Sequence, residues 1–483
     1  MSAVTFAGVV QLDEFRWMLP KEGGMRVPGV LIADRPLLEK MLSDRTPDQV
    51  RNAAHLPGIL EASIAMPDAH WGYGLPVGGV VATDPEEGVV SPGAVGYDIG
   101  CGVRLMTSRL TRGELADKVD ALADALYREV PCGVGSSGAV RVAKGDLDRV
   151  LREGAGWAVR RGMGWASDLE HCEEGGVLAG AETEAVSEGA HQRGRDQLGT
   201  LGSGNHFLEV QEVEEVYDEA AAASLGLTPG TVTVMIHCGS RGLGHQVCTD
   251  YVREVSHRLA GWGIALPDRQ LACAPIASPE GERYLGAMRA AANFAWANRQ
   301  CIAHGVRRAF ESVLRRSAES LGLALVYDVA HNIAKFESHA VSSGTVRCLV
   351  HRKGATRAFP PGHPDVPAAY RALGQPVLVP GDMGRYSFVL LGSPGSMKHA
   401  FGSTCHGAGR QMSRTQAVRE TRGRDLVEEL RRIGVVVRYE GRDTLREEAS
   451  EAYKDAAQVV RVCEGAGLSR PVAKLRPFVV VKG

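Results

Sequence analysis

Two spacings of apolar residues alternate along the chain and predict where helices give way to strands. Over 112–130 (RGELADKVDALADALYREV) and again over 146–161, apolar residues recur every three to four positions, the mark of an amphipathic helix. The longest such region runs over 279–320, and PDQVRNAAHL near the start reads as a short helix. Three β-rich apolar runs, 206–213 (HFLEVQEV), 232–236 (VTVMI) and 323–329 (LALVYDV), predict strands. Residues 64–108 combine β-formers with Gly and predict strands joined by tight turns. Two short strands are expected around PGDMG within 376–392, helices over 424–434 and 447–464, and a closing strand at PFVVV. The elements intersperse without a regular strand–helix–strand rhythm. The expected class is therefore mixed α/β, with mixed sheets surrounded by helices, neither a Rossmann-type doubly wound sheet nor a TIM barrel. No internal repeat or long linker interrupts 1–483, which reads as one large domain. The Gly-rich stretch 172–196, first acidic and then basic, reads as a surface excursion.

Composition narrows the partners. Of 483 residues 44% are hydrophobic, ample for a large core. Lys and Arg number 55 against 57 Asp and Glu, so any surface for a polyanion must be local rather than global. Aromatic residues make up 6%, too few to suggest an extensive base-stacking platform. The 10 cysteines are scattered without a CxxC pair, and a chain this large needs no disulfide frame. A reducing cytoplasm is the expected location. The first residues lack a basic segment followed by an apolar run, and no apolar stretch approaches the roughly 20 residues needed to span a bilayer.

The candidate chemistry lies where His, Cys and Asp meet the expected strand ends. His237 follows VTVMI, His331 lies two residues past LALVYDV, and His206 opens HFLEV after a Gly-Asn turn. Asp98 and Cys101 stand three apart among glycines in VGYDIGCGVR. One thiolate, one carboxylate and three imidazoles suit zinc, manganese, iron or cobalt better than magnesium or calcium. A thiolate can bridge two ions, and paired ions serve phosphoryl chemistry. Taken singly, a histidine in such a place is more often a hydrogen-bonded core or surface residue, and Cys101 more often a small buried hydrophobe. In GSTCHGAGRQMSR, His406 stands among small residues, with Arg410 and Arg414 following at four-residue steps. Arginine forks match phosphate oxygens, and an imidazole can attack phosphorus; a Gly-rich turn holding a structural histidine has the same pattern. The segment VHRKGATRAFPPGHP packs His351, Arg352, Lys353 and Arg357 together, as either a phosphate-binding segment or a solvated basic turn.

Taken together, PDAHWGYGLPVGGV, GAVGYDIGCGVR, LGTLGSGNHFLEV, MIHCGSRGLGHQV, AANFAWANRQ, DVAHNIAKFE, HRKGATRAF, PGDMGRYSFVL and STCHGAGRQMSR resemble the RtcB family of RNA ligases. The motifs recur in family order from about residue 60 to the C-terminus. The resemblance implies an RtcB-like fold and a GTP- and Mn2+-dependent ligase, joining RNA 2′,3′-cyclic phosphate or 3′-phosphate ends to 5′-hydroxyl ends. It implies that Asp98, Cys101, His206, His237 and His331 hold two manganese ions, with the cysteine shared. It implies that His406 becomes guanylylated, and that Asn205, Glu209, Asp382, Ser387, Gly407, Gly409, Arg410, Tyr453 and Lys482 form the nucleotide pocket. Asp68, His70, Arg193, Arg195, Arg352, Lys353 and Arg357 match positions suited to RNA or phosphate. The implied substrates are tRNA halves or broken RNA ends, the small protein archease is an implied activator, and a monomer is expected. Residues 172–190 find no place in the pattern, and Asp382 and Arg385 are larger than their counterparts in some members. Two other readings use the same residues: a metal-dependent RNA cyclic phosphodiesterase that does not ligate, and a non-catalytic RNA-binding factor.

Overall fold

The computed structural model describes residues 5–138, 140, 142 and 145–483. Two mixed eight-stranded sheets form its frame. The first runs Thr5–Phe6, Val9–Gln11, Arg16–Leu19, Gly29–Ile32, Ile59–His70, Val77–Thr83, Gly344–Lys353, Asn332–Val341. Its one parallel pairing joins Gly29–Ile32 to Ile59–His70. The second runs Ala324–Ala330, Gly102–Thr107, Val232–Cys238, Phe207–Val216, Ser469–Lys482, Ser387–Gly392, Pro376–Val379. Val436–Tyr439 lies parallel to the end of Ser469–Lys482. This is the expected mixed α/β class, and neither sheet has doubly wound or barrel connectivity.

Burial explains the sequence patterns. Val232–Cys238 sits between two partners and is buried at every position, so it reads as an unbroken apolar run rather than an alternating one. The helix Pro279–Leu314 spans 36 residues, about 54 Å at 1.5 Å per residue. Ser278 caps it by accepting from the Gly281 amide, a proline occupies its first turn, and Arg315 ends it in the left-handed conformation. Its middle is buried all round, including Phe294, Trp296 and Phe310. Each such side chain contributes roughly 1.5–3 kcal/mol by leaving water.

Several expectations need correction. The helix expected over 146–161 is two, Asp146–Glu153 and Ala155–Arg160, broken at Gly154. Within 447–464, residue 447 closes the short helix Arg442–Glu447 and the longer helix Ala456–Gly465 begins only at 456. The segment 172–196 is a surface excursion only in part. Cys172 pairs with Asp328 in a β-bridge, and Glu173 is fully buried, accepting from the Ala330 amide at 3.1 Å. The basic segment from 350 is not a solvated turn. It is the buried end of the strand Gly344–Lys353 leading into Ala355–Arg357.

Candidate active site

Five neighbouring strands of the second sheet place their site residues on one rim. Because the sheet is antiparallel here, the starts of Gly102–Thr107 and Phe207–Val216 lie beside the ends of Ala324–Ala330, Val232–Cys238 and Ser469–Lys482. Cys101, His206, His331, His237 and Lys482 stand at those five ends. His331 is also the crossing point between sheets: Ala330 closes a strand of the second, and Asn332 opens one of the first. Asn332 fastens the crossing, donating to the Asp98 carbonyl at 3.1 Å and accepting from the Gly354 amide at 2.8 Å.

All five expected metal ligands come together. Two groups have donor atoms mutually within 4.8 Å: Cys101, His237 and His331, and Asp98, Cys101 and His206. Cys101 belongs to both. Its Sγ lies 3.4 Å from His237 Nε2 and 3.5 Å from His206 Nε2. His237 Nε2 is 3.3 Å from His331 Nε2, and His206 Nε2 is 2.8 Å from Asp98 Oδ2. His206 Nδ1 faces the Leu201 carbonyl at 3.1 Å and Arg241 Nη1 at 3.0 Å, which holds the ring with Nε2 turned toward Cys101 and Asp98. Gly239 is required at the rim, since a Cβ there would sit 2.3 Å from Asp98 Oδ1.

The electrostatics fit a cation. Burial, with the Asp98 carboxylate beside it, pushes the Cys101 thiol up to about 12 when no cation is close; coordination removes that proton. Burial drives His237 and His331 well below the usual imidazole range, so both present neutral rings. The thiolate, imidazoles and carboxylate make a donor set suited to a transition ion.

His406 faces the same space from a separate two-stranded sheet. It follows Ser403–Cys405, which pairs with Ala355–Arg357, and its ring centroid is 4.7 Å from that of His331. Asp68, fully buried on Ile59–His70, receives His406 Nδ1 at 2.7 Å, the His406 amide at 2.9 Å and the Gly407 amide at 3.3 Å on one oxygen, Oδ2. Its Oδ1 has no hydrogen-bond partner among the described residues. Gly409 lets the turn press against this strand; a Cβ there would meet the Asp68 carbonyl at 2.0 Å.

A cavity of about 680 Å³ joins the two groups. It is lined by Asp98, Cys101, Asn205, Glu209, His237, His331, Asp382, His406, Gly407, Gly409, Arg410, Tyr453 and Lys482, and also by His70 and Lys353. Glu209 is buried beside Gln211, which donates to its carboxylate at 2.8 Å and to Ser387 Oγ at 3.1 Å. Burial raises the Glu209 carboxyl to about 8. Arg410, Tyr453 and Lys482 converge on the buried Glu448: Arg410 donates to it at 3.1 Å, Tyr453 hydrogen-bonds it, and Lys482 Nζ lies at 3.5 Å.

Four of the basic residues, Arg193, Arg195, Arg352 and Arg357, do not line the cavity. Arg352 is fully buried and forks onto Glu337 with two bonds of 2.7 Å. Arg357 is buried against Glu173 and Glu174 at 3.2 and 2.8 Å. Their donors are spent on internal carboxylates, so neither presents a free fork to RNA. Asp68 likewise serves His406 rather than the open surface. Arg193 and Arg195 lie on the outer helix Glu188–Arg195, bonded to Gln246 and Glu188. Lys353 is buried, donating to the Tyr73 carbonyl and, at 2.9 Å, to that of Leu75, and burial lowers it to about 7. Sequence reasoning overlooked Glu448 and Asn332. Nothing near Glu448 in the sequence marks it, whereas Asn332 stood beside a candidate ligand in DVAHN.

Comparison with known proteins agrees with this geometry. The family model described as tRNA-splicing ligase RtcB matches residues 49–483. A tRNA-splicing ligase RtcB of Thermococcus kodakarensis is 55% identical over 474 residues, 98% of each chain. Its namesake from Archaeoglobus fulgidus is 54% identical over 475 residues, again 98% of each. An RNA-splicing ligase RtcB of Mycobacterium tuberculosis is 52% identical over 438 residues, 90% of this chain and 100% of its own. A match of this extent, on a fold that assembles every motif ligand at one rim, places the chain in the RtcB family of tRNA-splicing ligases.

Proposed function

We propose that this chain is a GTP- and Mn2+-dependent RNA ligase that joins 3′-phosphate or 2′,3′-cyclic phosphate ends to 5′-hydroxyl ends, in tRNA splicing or RNA repair. The observation that carries the proposal is His406: its Nδ1 is taken up by Asp68 at 2.7 Å while its ring lies 4.7 Å from the His331 ring. An Nδ1–H donated to a carboxylate leaves the Nε2 lone pair free to attack. Simple hydrolysis of a cyclic phosphate needs no nucleotidylated side chain, though an imidazole so held could serve it as a general base.

In the proposed reaction, His406 Nε2 forms a bond to the α-phosphorus of GTP as the bond to pyrophosphate breaks. Asp68 balances the positive charge that the ring acquires. An oxygen of the RNA 3′-phosphate then attacks the same phosphorus, releasing His406 and leaving an RNA–ppG end. The 5′-hydroxyl attacks that end, loses its proton and expels GMP. Asp98, Cys101, His206, His237 and His331 would hold two manganese ions, which supply a Lewis acid for the charge building on the phosphates. Glu209 is suited to guanine: a carboxylate accepts from the N1–H and amino group of guanine, whereas N1 of adenine is itself an acceptor. Ser387 and Lys482 would complete that pocket, with Asn205 toward the phosphates. His70, Lys353, Arg193 and Arg195 are the remaining candidates for RNA contact.

The direct test is α-labelled GTP with Mn2+ and no RNA, on wild type and His406→Ala. Label bound covalently to wild type alone supports ligation through His406. No label on either, with manganese bound and archease added, would falsify the proposed mechanism and favour the cyclic phosphodiesterase.

A further inference from the structure

The motif AANFAWANRQ lies in the middle of the buried helix Pro279–Leu314, away from the cavity lining, yet its Arg299 reaches three of the ligand-bearing segments at once. Nη1 donates to the carbonyls of Gly100 and Cys238, both at 2.8 Å. Nη2 and Nε clasp Asp328, at 2.8 Å to Oδ1 and 3.0 Å to Oδ2. Gly100 precedes Cys101, Cys238 follows His237, and Asp328 lies three residues before His331, on the strand that ends just before it. One planar guanidinium therefore ties down the chain beside each member of the Cys101–His237–His331 group. The helix also presses directly on the Cys101 loop, where a Cβ at Gly100 would fall 2.8 Å from Ala292 Cα.

A buried ion cluster of this kind is not explained by stability. Arg104, Arg299 and Asp328 are all fully buried, and well-packed apolar residues serve stability as well as such clusters do. The other ligand group is held differently. Asp98 receives Ser240 Oγ at 3.4 Å, and His206 is fixed by the Leu201 carbonyl. Arg299 touches neither of those two side chains.

We infer that Arg299 is a positioning residue that sets the spacing of Cys101, His237 and His331, and so governs that ion site more strongly than the other, which shares only Cys101 with it. The inference rests on the proposed two-ion reading. Lysine keeps the charge opposite Asp328 but cannot bridge two carbonyls and a carboxylate at fixed angles. Arg104 is the control, since it pairs with the same Asp328 at 2.7 Å without touching a ligand-flanking carbonyl.

The experiment is Mn2+ binding to the full chain by equilibrium dialysis with metal analysis, alongside thermal melting. Wild type, Arg299→Lys and Arg104→Lys are compared. Wild type should bind two ions. Arg299→Lys should weaken one of them by about 10- to 100-fold, the range for residues that orient metal ligands, and leave the other within about threefold. Arg104→Lys should keep both affinities even where its melting temperature falls as far. Should Arg299→Lys fail to fold, Arg299→Gln takes its place, read by the Mn2+-induced rise in melting temperature. Two ions bound equally by wild type and the Arg299 variants overturn this inference alone. Equal weakening in Arg104→Lys overturns it too, by showing a general effect of the buried cluster. A wild type that binds no Mn2+ overturns the metal reading and this inference with it.

Discussion

Asp68 and His406 are joined by two bonds to a single oxygen: Oδ2 of the carboxylate receives both the ring Nδ1, at 2.7 Å, and the backbone amide, at 2.9 Å. The carboxylate thus fixes the ring's tautomer and its rotation together. Asp68→Asn replaces one acceptor with a donor and sets up the wrong tautomer. Guanylylation of His406 should fall by about 10²- to 10⁴-fold, the scale seen when a carboxylate that orients a catalytic imidazole becomes an amide. Mn2+ binding should be unchanged, since Asp68 is in neither ligand group. Labelling with GTP beside a metal titration separates the two; loss of metal in Asp68→Asn would rule out a role confined to His406.

Cys101 is the only residue common to both ligand groups. Cys101→Ala should therefore lose both ions and all GTP-dependent chemistry, whereas His331→Ala and His206→Ala should each weaken one ion more than the other. Metal analysis after dialysis against a fixed Mn2+ concentration checks this. Full Mn2+-dependent labelling of Cys101→Ala would refute the shared ligand.

Much of this site was legible because its candidate ligands sit at strand ends. VTVMI before His237 and LALVYDV before His331 are strong strand signals, and a ligand just past a strand inherits its rigidity. What the sequence did not give away was which basic residues are internal. HRKGATR has the composition of a solvated turn, yet Gly344–Lys353 is covered on both sides by strands and Ala355–Arg357 is paired with Ser403–Cys405, so Arg352 is turned onto Glu337 and Arg357 onto Glu173 and Glu174. Those carboxylates lie far away in sequence, and no local pattern reveals a long-range ion pair. Glu448 escaped for the same reason, its three partners lying at 410, 453 and 482. Helix boundaries slipped where a single residue decides: at Gly154, φ is +55°, and one helix becomes two.

Arg352 tests that distinction. Its bidentate bonds to Glu337 lie where both side chains are all but inaccessible. Arg352→Ala removes the bidentate partner of a buried carboxylate, leaving it only Arg357 at 3.9 Å and His339 at 3.1 Å, and should destabilise the fold by about 3–5 kcal/mol. Arg193→Ala, on an outer helix, should change stability by no more than about 0.5 kcal/mol. If Arg193 contacts phosphate, its loss should instead lower RNA affinity and flatten the salt dependence of binding by about one unit of slope. Urea unfolding and RNA binding at several salt concentrations give both numbers. An Arg352→Ala protein of wild-type stability would contradict the buried pairing.

Glu209 gives the pH dependence. Burial raises its carboxyl to about 8, against an ordinary value near 4.5, so the folded protein holds this proton between those limits while the unfolded chain does not. By linkage, this group makes stability fall as pH rises from about 4.5 to 8. Nucleotide binding runs the other way. The ionised carboxylate is the form that accepts from guanine N1–H, so GTP affinity should rise with pH by up to about tenfold per unit below 8, then level off. Glu209→Gln carries no titrating group and should show neither trend; its amide can also donate to N1 of adenine, so it should bind GTP less tightly and narrow the preference over ATP. Calorimetric titration of wild type and variant with GTP and ATP, from pH 6.5 to 8.5, measures all of this. A wild-type affinity for GTP that stays flat across that range would show that Glu209 does not hold the base.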